Sequence, residues 1–299
     1  MIIAVQAKAL RRLSAGGITT ASLTLLALIA FAANSLFCRL ALVGPIIDPA
    51  SYTAVRLITG AVALWIIVVL RRNRPFGKTG GSWISAAMLF LYAVAFSFAY
   101  ISLSAGTGAL ILFAAVQITM IAVGLYTGER PGKLEWLGLL IAIAGLIYLV
   151  SPGVTAPSTA GSVLMATAGI AWGVYSLRGR AAGNPVQITA ENFLRTVPLA
   201  IAVVVLRLPL LTITPRGILW AALSGSITSG LGYVMWYAAL PRLTATRAAT
   251  LQLAVPVLAA IGGVSVLSEA VSLRLVISSV VILGGVGLAV SYQKPRREQ

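Results

Sequence analysis

The chain is divided by short breaks into ten long apolar runs. Each run has roughly 17 to 25 residues, enough for a helix rising about 1.5 Å per residue to cross a hydrocarbon core of about 30 Å. The runs cover approximately residues 18–43, 52–70, 83–103, 108–126, 134–150, 160–177, 188–205, 217–240, 248–267 and 271–292. This pattern predicts an all-α integral membrane protein with ten transmembrane helices.

The composition excludes an ordinary soluble fold. Hydrophobic residues make up 59% of the chain and charged residues 9%, whereas a globular domain carries about 25% charged residues. The first run follows Lys8, Arg11 and Arg12, as in a signal peptide. It is too long for the apolar core of a signal peptide and contains Asn34 and Arg39, so we predict a retained first helix.

The basic residues predict the topology. Lys and Arg number 22 against 6 acidic residues, a balance that in a soluble domain would indicate nucleic acid binding. Here sixteen of them lie in the breaks and termini on one side of ten alternating crossings, and the other side holds Arg207, Arg216 and Arg274. The positive-inside rule therefore predicts a multi-pass membrane protein with both termini cytoplasmic and no nucleic acid partner.

Few residues could support enzymatic chemistry. The chain has no histidine and a single cysteine, Cys38, which excludes an intrachain disulfide or a thiolate cluster. An intramembrane enzyme would need a nucleophile with a base, or a set of metal ligands. We therefore expect no catalytic residue, no metal and no cofactor.

The chain repeats itself at an offset of 140 positions. Residues 105–129 align without a gap on residues 245–269, the register continues to pair Gly145 with Gly285, and an offset of 139 pairs Arg39 with Arg178. Five helices per repeat give the second copy the opposite orientation. We predict two inverted five-helix repeats, residues 18–151 and 152–292, flanked by cytoplasmic tails 1–17 and 293–299. Secondary transporters often have inverted repeats, with a central substrate site and alternating access.

Several segments resemble the EamA repeat of the drug/metabolite transporter superfamily. They include FAANSLFCRLAL in the first run, YTAVRLITGAVAL in the second, AGIAWGVYSLRGR in the sixth, and the GER turn at 128–130 with its degenerate partner LSEAVSLR. The resemblance covers nearly the whole chain, and within the superfamily it is greatest to the YddG-type exporters. It implies a ten-helix exporter of the bacterial inner membrane for aromatic amino acids and methyl viologen.

Two kinds of side chain near the helix centres are candidates for binding a solute, because polar groups inside a membrane are functional by default. The amides Asn34, Gln117 and Gln252 could bind a carboxylate or an ammonium group; the alternative is a hydrogen bond between helices worth about 0.6 kcal/mol. Aromatic side chains at helical spacing could wall a cavity; the alternative is an aromatic belt at the membrane interface. These aromatic candidates are Tyr92, Trp172, Tyr175, Tyr233, Trp236 and Tyr237.

Three arginines lie within the apolar runs. Arg39 and Arg56 are near the outer ends, where we expect them to snorkel or to pair with Asp48. Arg195 has i,i+4 spacing to Glu191, which predicts an intrahelical ion pair, and is a further candidate for the solute path. Because Glu191 is the one carboxylate inside a run and away from its end, the sequence favours facilitated or weakly coupled transport over proton coupling.

These features predict an exporter of amino acids, with apolar and aromatic ones favoured, and of related small solutes. Alternatives within transport are organic cations resembling methyl viologen and other metabolites, and the alternative of another class is a structural or sensory membrane protein. Small-residue faces on the fifth and tenth helices predict packing within a monomer, with a dimer as the alternative. The expected partners are a small-molecule substrate and membrane lipid.

Overall fold

The computed structural model describes residues 2–70, 80–126, 132–153, 156–179, 185–239, 251–252 and 254–291. The GER turn at 128–130 and the basic segments 71–78 and 242–247 lie outside these residues. The described residues form ten main helices, as predicted. They are α1 (Ile2–Leu42), α2 (Pro49–Leu70), α3 (Trp83–Ala99), α4 (Ala105–Tyr126), α5 (Lys133–Val150), α6 (Thr159–Gly179), α7 (Pro185–Leu206), α8 (Pro215–Ala239), α9 (Ala254–Leu267) and α10 (Leu273–Ser291).

Helix is the dominant structure of the described ranges. These ranges hold no strand, and one isolated antiparallel bridge joins Ile47 to Ile213. A short 3-10 turn, Leu208–Leu210, follows α7. Because a helix satisfies its own backbone hydrogen bonds, this architecture suits a hydrocarbon environment.

Length, composition and surface all fit a membrane. Six helices are long and apolar enough to cross one, in α1, α2, α4, α6, α7 and α8, and four shorter apolar helices accompany them. The outward faces carry large apolar side chains such as Leu25, Trp65, Ile147, Val163 and Val280, all substantially exposed. Apolar surface of this extent needs lipid around it. The protein is therefore an all-α membrane protein with ten membrane helices.

The helix contacts repeat when each helix is exchanged for the one five places along the chain. Thus α2 packs on α7, α4 on α9 and α5 on α10. In the same way, α3 packs on α6 as α8 packs on α1, and α4 packs on α6 as α9 packs on α1. The bundle therefore has an approximate twofold pattern of contacts that follows the sequence repeat.

Glycines allow the closest of these contacts. A Cβ atom on Gly285 of α10 would lie 2.6 Å from the carbonyl oxygen of Gly138 and from the amide nitrogen of Ala142, both on α5. A Cβ atom on Gly145 of α5 would lie 2.8 Å from the Val281 side chain. The small-residue faces of α5 and α10 thus pack against each other within one chain.

The middle of α8 is a π-helical segment, Ser224–Leu231. It packs on α2, where a Cβ atom on Gly225 would meet the carbonyl oxygen of Arg56 and the hydroxyl of Thr59. A π turn is wider than an α turn and is frequent at functional sites. This segment presents Thr228 and Ser229 toward the centre of the bundle.

Candidate functional site

A central cavity lies between the helices of both halves of the chain. Five helices form its wall, and α5 and α10 contribute nothing to it. The lining residues are Phe31, Asn34 and Ser35 of α1, Tyr92 and Phe96 of α3, Leu112 and Phe113 of α4, Trp172 of α6, and Thr228, Ser229 and Tyr233 of α8.

The cavity is contracted in this conformation. The volume of the cavity is about 20 Å³, and one water molecule requires roughly 10–15 Å³. An organic solute therefore fits only after side chains or helices move.

Aromatic rings form much of the wall. The ring of Trp172 lies with its centroid 5.0 Å from those of both Tyr92 and Tyr233, and 5.6 Å from that of Tyr175. Phe31 makes edge contacts with Trp172, Tyr233 and Trp236 at 5.8 to 6.4 Å. The predicted aromatic candidates thus come together from three helices at the cavity.

Three of these aromatic candidates lie behind the wall. Tyr175 and Trp236 contact lining residues but do not line the cavity, and Tyr237 is buried with its hydroxyl oxygen beside Gly179 of α6. Tyr92, Trp172 and Tyr233 line the cavity itself.

Asn34 connects three helices at the cavity. Its amide nitrogen donates to the Tyr92 hydroxyl at 3.2 Å. Its amide oxygen accepts from the hydroxyls of Ser224, at 2.7 Å, and Thr228, at 3.2 Å. The side chain therefore links α1 to α3 and α8, which confirms the predicted hydrogen bond between helices; it also lines the cavity, and solute binding stays a prediction.

Arg56 is placed differently from the prediction. Its side chain does not snorkel, because the residue is only 2% exposed and lies behind the cavity wall. Its Nη2 donates to the Tyr92 hydroxyl at 3.0 Å and its Nε to the Ser229 hydroxyl at 3.3 Å. The guanidinium also lies over the rings of Tyr92 and Phe96, 5.1 and 5.0 Å from their centroids. Its Nη1 has no hydrogen-bond partner among the described residues.

The expected pairing of Arg39 or Arg56 with Asp48 is wrong, because the Asp48 carboxylate accepts hydrogen bonds from backbone amides instead. One carboxylate oxygen accepts from the amides of Ala50 and Ser51 in the first turn of α2. The other accepts from the amide of Thr212. Negative charge is favoured at a helix N-terminus, so this carboxylate is already satisfied.

Arg39 pairs with Glu269 at one end of the bundle. Their closest atoms, Nε and Oε1, are 2.9 Å apart. Arg39 also donates to the carbonyl oxygen of Tyr100, and Glu269 accepts from the amide of Ala105 at the start of α4. We call these four residues the Arg39 cluster; it ties together α1, the α3–α4 turn and the α9–α10 connection.

A second polar cluster lies at the other end of α3, about 25 Å away by helix length. Arg178 of α6 donates to the hydroxyls of Ser85, at 3.0 Å, and Ser82, at 3.2 Å. The Ser82 amide donates to Asn192 of α7 at 3.0 Å. We call these four residues the Arg178 cluster. Arg39 and Arg178, equivalent in the sequence repeat, thus lie at opposite ends of the bundle.

The predicted ion pair of Arg195 with Glu191 is confirmed, with a separation of 3.6 Å. Glu191 also accepts from the amide of Gly81, just before α3. The pair therefore lies beside the Arg178 cluster, and the structure does not bring Arg195 to the cavity wall.

The other two amide candidates are also outside the wall. Gln117 is buried on α4, and its amide nitrogen has no hydrogen-bond partner in the described part of the chain. Gln252 is buried just before α9. Neither residue is among those that line the cavity.

Sequence reasoning did not place Phe31 in the cavity wall or Arg56 behind it. Phe31 is one apolar residue within an apolar run, and nothing in the sequence separates it from its neighbours. Arg56 did give a signal, since a cation seven positions into a membrane helix is a functional candidate by default. Its proximity to Asp48 in the sequence suggested the wrong partner.

Comparison with known proteins gives a family. The EamA-like transporter family matches residues 18–151 and again residues 159–291. An uncharacterized protein of Pseudomonas aeruginosa is 48% identical over 269 residues, which cover 90% of this chain and 93% of that protein. An uncharacterized transporter of Archaeoglobus fulgidus is 25% identical over 67% of this chain and 73% of its own length. The uncharacterized transporter YoaV of Bacillus subtilis is 20% identical over 80% and 86%.

The fold is also found in a solved crystal structure. That protein superposes with a TM-score of 0.66 over 90% of this chain and 95% of its own, at 20% sequence identity.

Proposed function

The chain belongs to the EamA-like transporter family, as the resemblance predicted, and from that premise we propose that it exports amino acids and related small solutes across the bacterial inner membrane. The favoured solutes are apolar and aromatic amino acids. Transport proceeds by alternating access, with the two five-helix halves in inverted orientation and both termini cytoplasmic.

One observation carries this proposal: the central cavity has a wall drawn from both halves of the chain and lined with aromatic rings and a few polar groups. Phe31, Tyr92 and Asn34 come from the first half, and Trp172 and Tyr233 from the second. Ligand pockets are mostly apolar, with a few placed polar groups, which suits an amino acid with an apolar side chain. A wall shared by two halves changes its access whenever the halves move relative to one another.

The two polar clusters support alternating access. With a cytoplasmic N-terminus, the Arg39 cluster closes the external end of the bundle and the Arg178 cluster closes the cytoplasmic end. Both clusters are formed here, which agrees with the contracted cavity. We infer that export requires each cluster to open in turn.

An exporter of organic cations is less well supported. Aromatic faces attract a cation, but Asp48, Glu191 and Glu269 are all engaged outside the cavity, and no carboxylate is among the described residues that line it. A cation would also enter next to the Arg56 guanidinium, and like charges repel strongly where water is excluded.

Efflux from liposomes tests the proposal. Purified protein is reconstituted with labelled phenylalanine, tryptophan, threonine or methionine inside, and efflux is compared with protein-free liposomes. We expect amino acid efflux that Trp172→Ala reduces strongly, because Trp172 is central to the cavity wall. The matched control is Trp65→Ala, since Trp65 is 46% exposed on the outer face of α2. Folded, inserted protein that released none of the four amino acids would refute the assignment.

A further inference from the structure

Arg56 has a charge that the described structure does not balance. It is buried inside a membrane helix, and the three carboxylates whose side chains the structure describes have other partners: Asp48 accepts from backbone amides, Glu191 pairs with Arg195 and accepts from Gly81, and Glu269 pairs with Arg39 and accepts from Ala105. A buried charge is retained only where a partner or a function compensates its desolvation.

Two hydrogen-bond donors without partners lie at or near this charge. The Nη1 of Arg56 and the hydroxyl of Tyr233 are buried without partners among the described residues. Tyr233 lines the cavity beside Tyr92, since the ring centroid of Trp172 lies 5.0 Å from those of both tyrosines.

Tyr92 adds another donor. Its hydroxyl oxygen accepts from both Arg56 and Asn34, so both of its lone pairs are used. The hydroxyl proton of Tyr92 therefore remains to be donated. Arg56 and Tyr92 together present donors and no free acceptor, and the Tyr233 hydroxyl can add a further donor, so the three side chains can complement an anion.

We propose that Arg56, with Tyr92 and Tyr233, binds the carboxylate of the transported solute, an inference that rests on the proposed transport function. A guanidinium binds a carboxylate through two parallel hydrogen bonds, the strongest such pair in proteins. Arg56 lies behind Tyr92 and Phe96 in the contracted cavity, so the solute reaches it when these two rings move as the cavity expands.

The assignment specifies a substrate class. The solute carries a carboxylate and an aromatic or apolar body, which packs against Trp172 and Phe31. An ammonium group has no charged partner at this site, so the site recognises amino acids by their carboxylates and also accepts the corresponding acids that lack the amine.

Three ligands that differ in one group test this in the wild-type protein. Phenylalanine has both charged groups, phenylpropionate lacks the amine, and phenethylamine lacks the carboxylate. By calorimetric titration of the purified full chain in detergent, we expect the first two to bind and phenethylamine to bind at least about tenfold more weakly, since hydrogen bonds between charged groups are the stronger kind. Equal or tighter binding of phenethylamine would overturn the proposal.

Substitutions test which side chains bind the carboxylate. Arg56→Gln should weaken binding of phenylpropionate by about tenfold or more, with partial recovery in Arg56→Lys, while Arg195→Gln, the control arginine outside the cavity, should leave it unchanged. Tyr233→Phe removes one hydroxyl and should weaken the same ligand by about twofold to tenfold. If Arg56→Gln does not fold, Tyr233→Phe and the wild-type ligand series decide.

The outcomes separate this inference from the proposed function. Phenylpropionate binding and efflux without phenylalanine efflux would keep the carboxylate site and discard amino acid export. Phenylalanine efflux that Arg56→Gln leaves intact would keep amino acid export and discard the carboxylate site. If Arg56 has only a structural role, Tyr233→Phe should weaken the binding of neither phenylalanine nor phenylpropionate.

Discussion

Asn34 shows how one side chain both holds helices together and forms a site. Its replacement by alanine removes the acceptor of the Ser224 hydroxyl and a donor to Tyr92, while Thr228 keeps its hydrogen bond to the carbonyl oxygen of Ser224. Because buried polar groups left without partners cost about 1–3 kcal/mol, we expect Asn34→Ala to lower the thermal unfolding midpoint in detergent and to reduce efflux.

Thr167 provides the control for this prediction. Its exposed hydroxyl donates to the carbonyl oxygen of Val163 within the same helix. We expect Thr167→Ala to leave both the unfolding midpoint and efflux close to those of the wild type. An Asn34→Ala protein as stable as Thr167→Ala would contradict the role assigned to the Asn34 hydrogen bonds.

For the three arginines within helices, the sequence predicted one partner correctly and the other two incorrectly. In the sequence, Arg39, Arg56 and Arg195 are the same kind of anomaly. The i,i+4 spacing was enough to identify Glu191 as the partner of Arg195, because a helix fixes that distance. Arg39 pairs with Glu269, 230 positions away in the sequence, whereas no ion pair of Arg56 is present among the described side chains. The partner of each of these two arginines therefore depends on the fold.

At the scale of helices, the π segment of α8 packs closely against α2. Gly225 of the π segment lies against the backbone of α2, and a Cβ atom there would meet the carbonyl oxygen of Arg56. We expect Gly225→Ala to destabilise the protein by about 1–3 kcal/mol, because inserted atoms in a packed interior force the backbone apart.

Gly284 of α10 is the matched control, since a Cβ atom there meets nothing within 4 Å. Alanine favours a helix over glycine by up to about 1 kcal/mol, so Gly284→Ala should be neutral or stabilising. Unfolding midpoints measured for both variants in the same detergent check the comparison. A Gly225→Ala midpoint equal to that of Gly284→Ala would rule out the close approach of α8 to α2.

The helices themselves were predictable and the interior of α8 was not. Apolar runs of membrane-spanning length follow from the absence of water, so the positions of the ten helices could be predicted. The run 217–240 indicated one helix, without a sign of its π turn. The π segment packs closely against α2 at Gly60 and Gly225, and neither glycine indicates that contact in the sequence.

For the whole molecule, the Arg39 cluster can be tested with the one native cysteine. Cys38 precedes Arg39 and is fully buried, so a membrane-impermeant maleimide applied from outside should label it slowly. Glu269→Gln removes one charge of the ion pair, and with about 1.5–3 kcal/mol assigned to a charged hydrogen bond we expect labelling roughly tenfold faster or more.

The control for labelling is Glu191→Gln. Glu191 lies beside the Arg178 cluster at the opposite end of α3, so its replacement should leave Cys38 as protected as in the wild type. Equal labelling of wild type and Glu269→Gln would show that the ion pair does not hold this end closed.

We expect the transport cycle to run without a proton gradient. Glu191 and Glu269 are held in ion pairs at the two ends of the bundle, and the cavity wall contains no carboxylate among the described residues. Efflux of phenylalanine should therefore be similar with the same pH on both sides and with an imposed pH difference. Efflux that stopped when the pH difference was removed would require a proton-carrying group that these contacts do not supply.

The unbalanced charge of Arg56 has an electrical consequence. A membrane potential acts on every net charge within the bilayer, at about 2.3 kcal/mol per elementary charge moved through 100 mV. The empty carrier holds this positive charge, whereas a bound monocarboxylate anion cancels it and a zwitterionic amino acid does not. Phenylpropionate should therefore make the reorientation of the carrier less sensitive to voltage, while phenylalanine should leave that sensitivity in place.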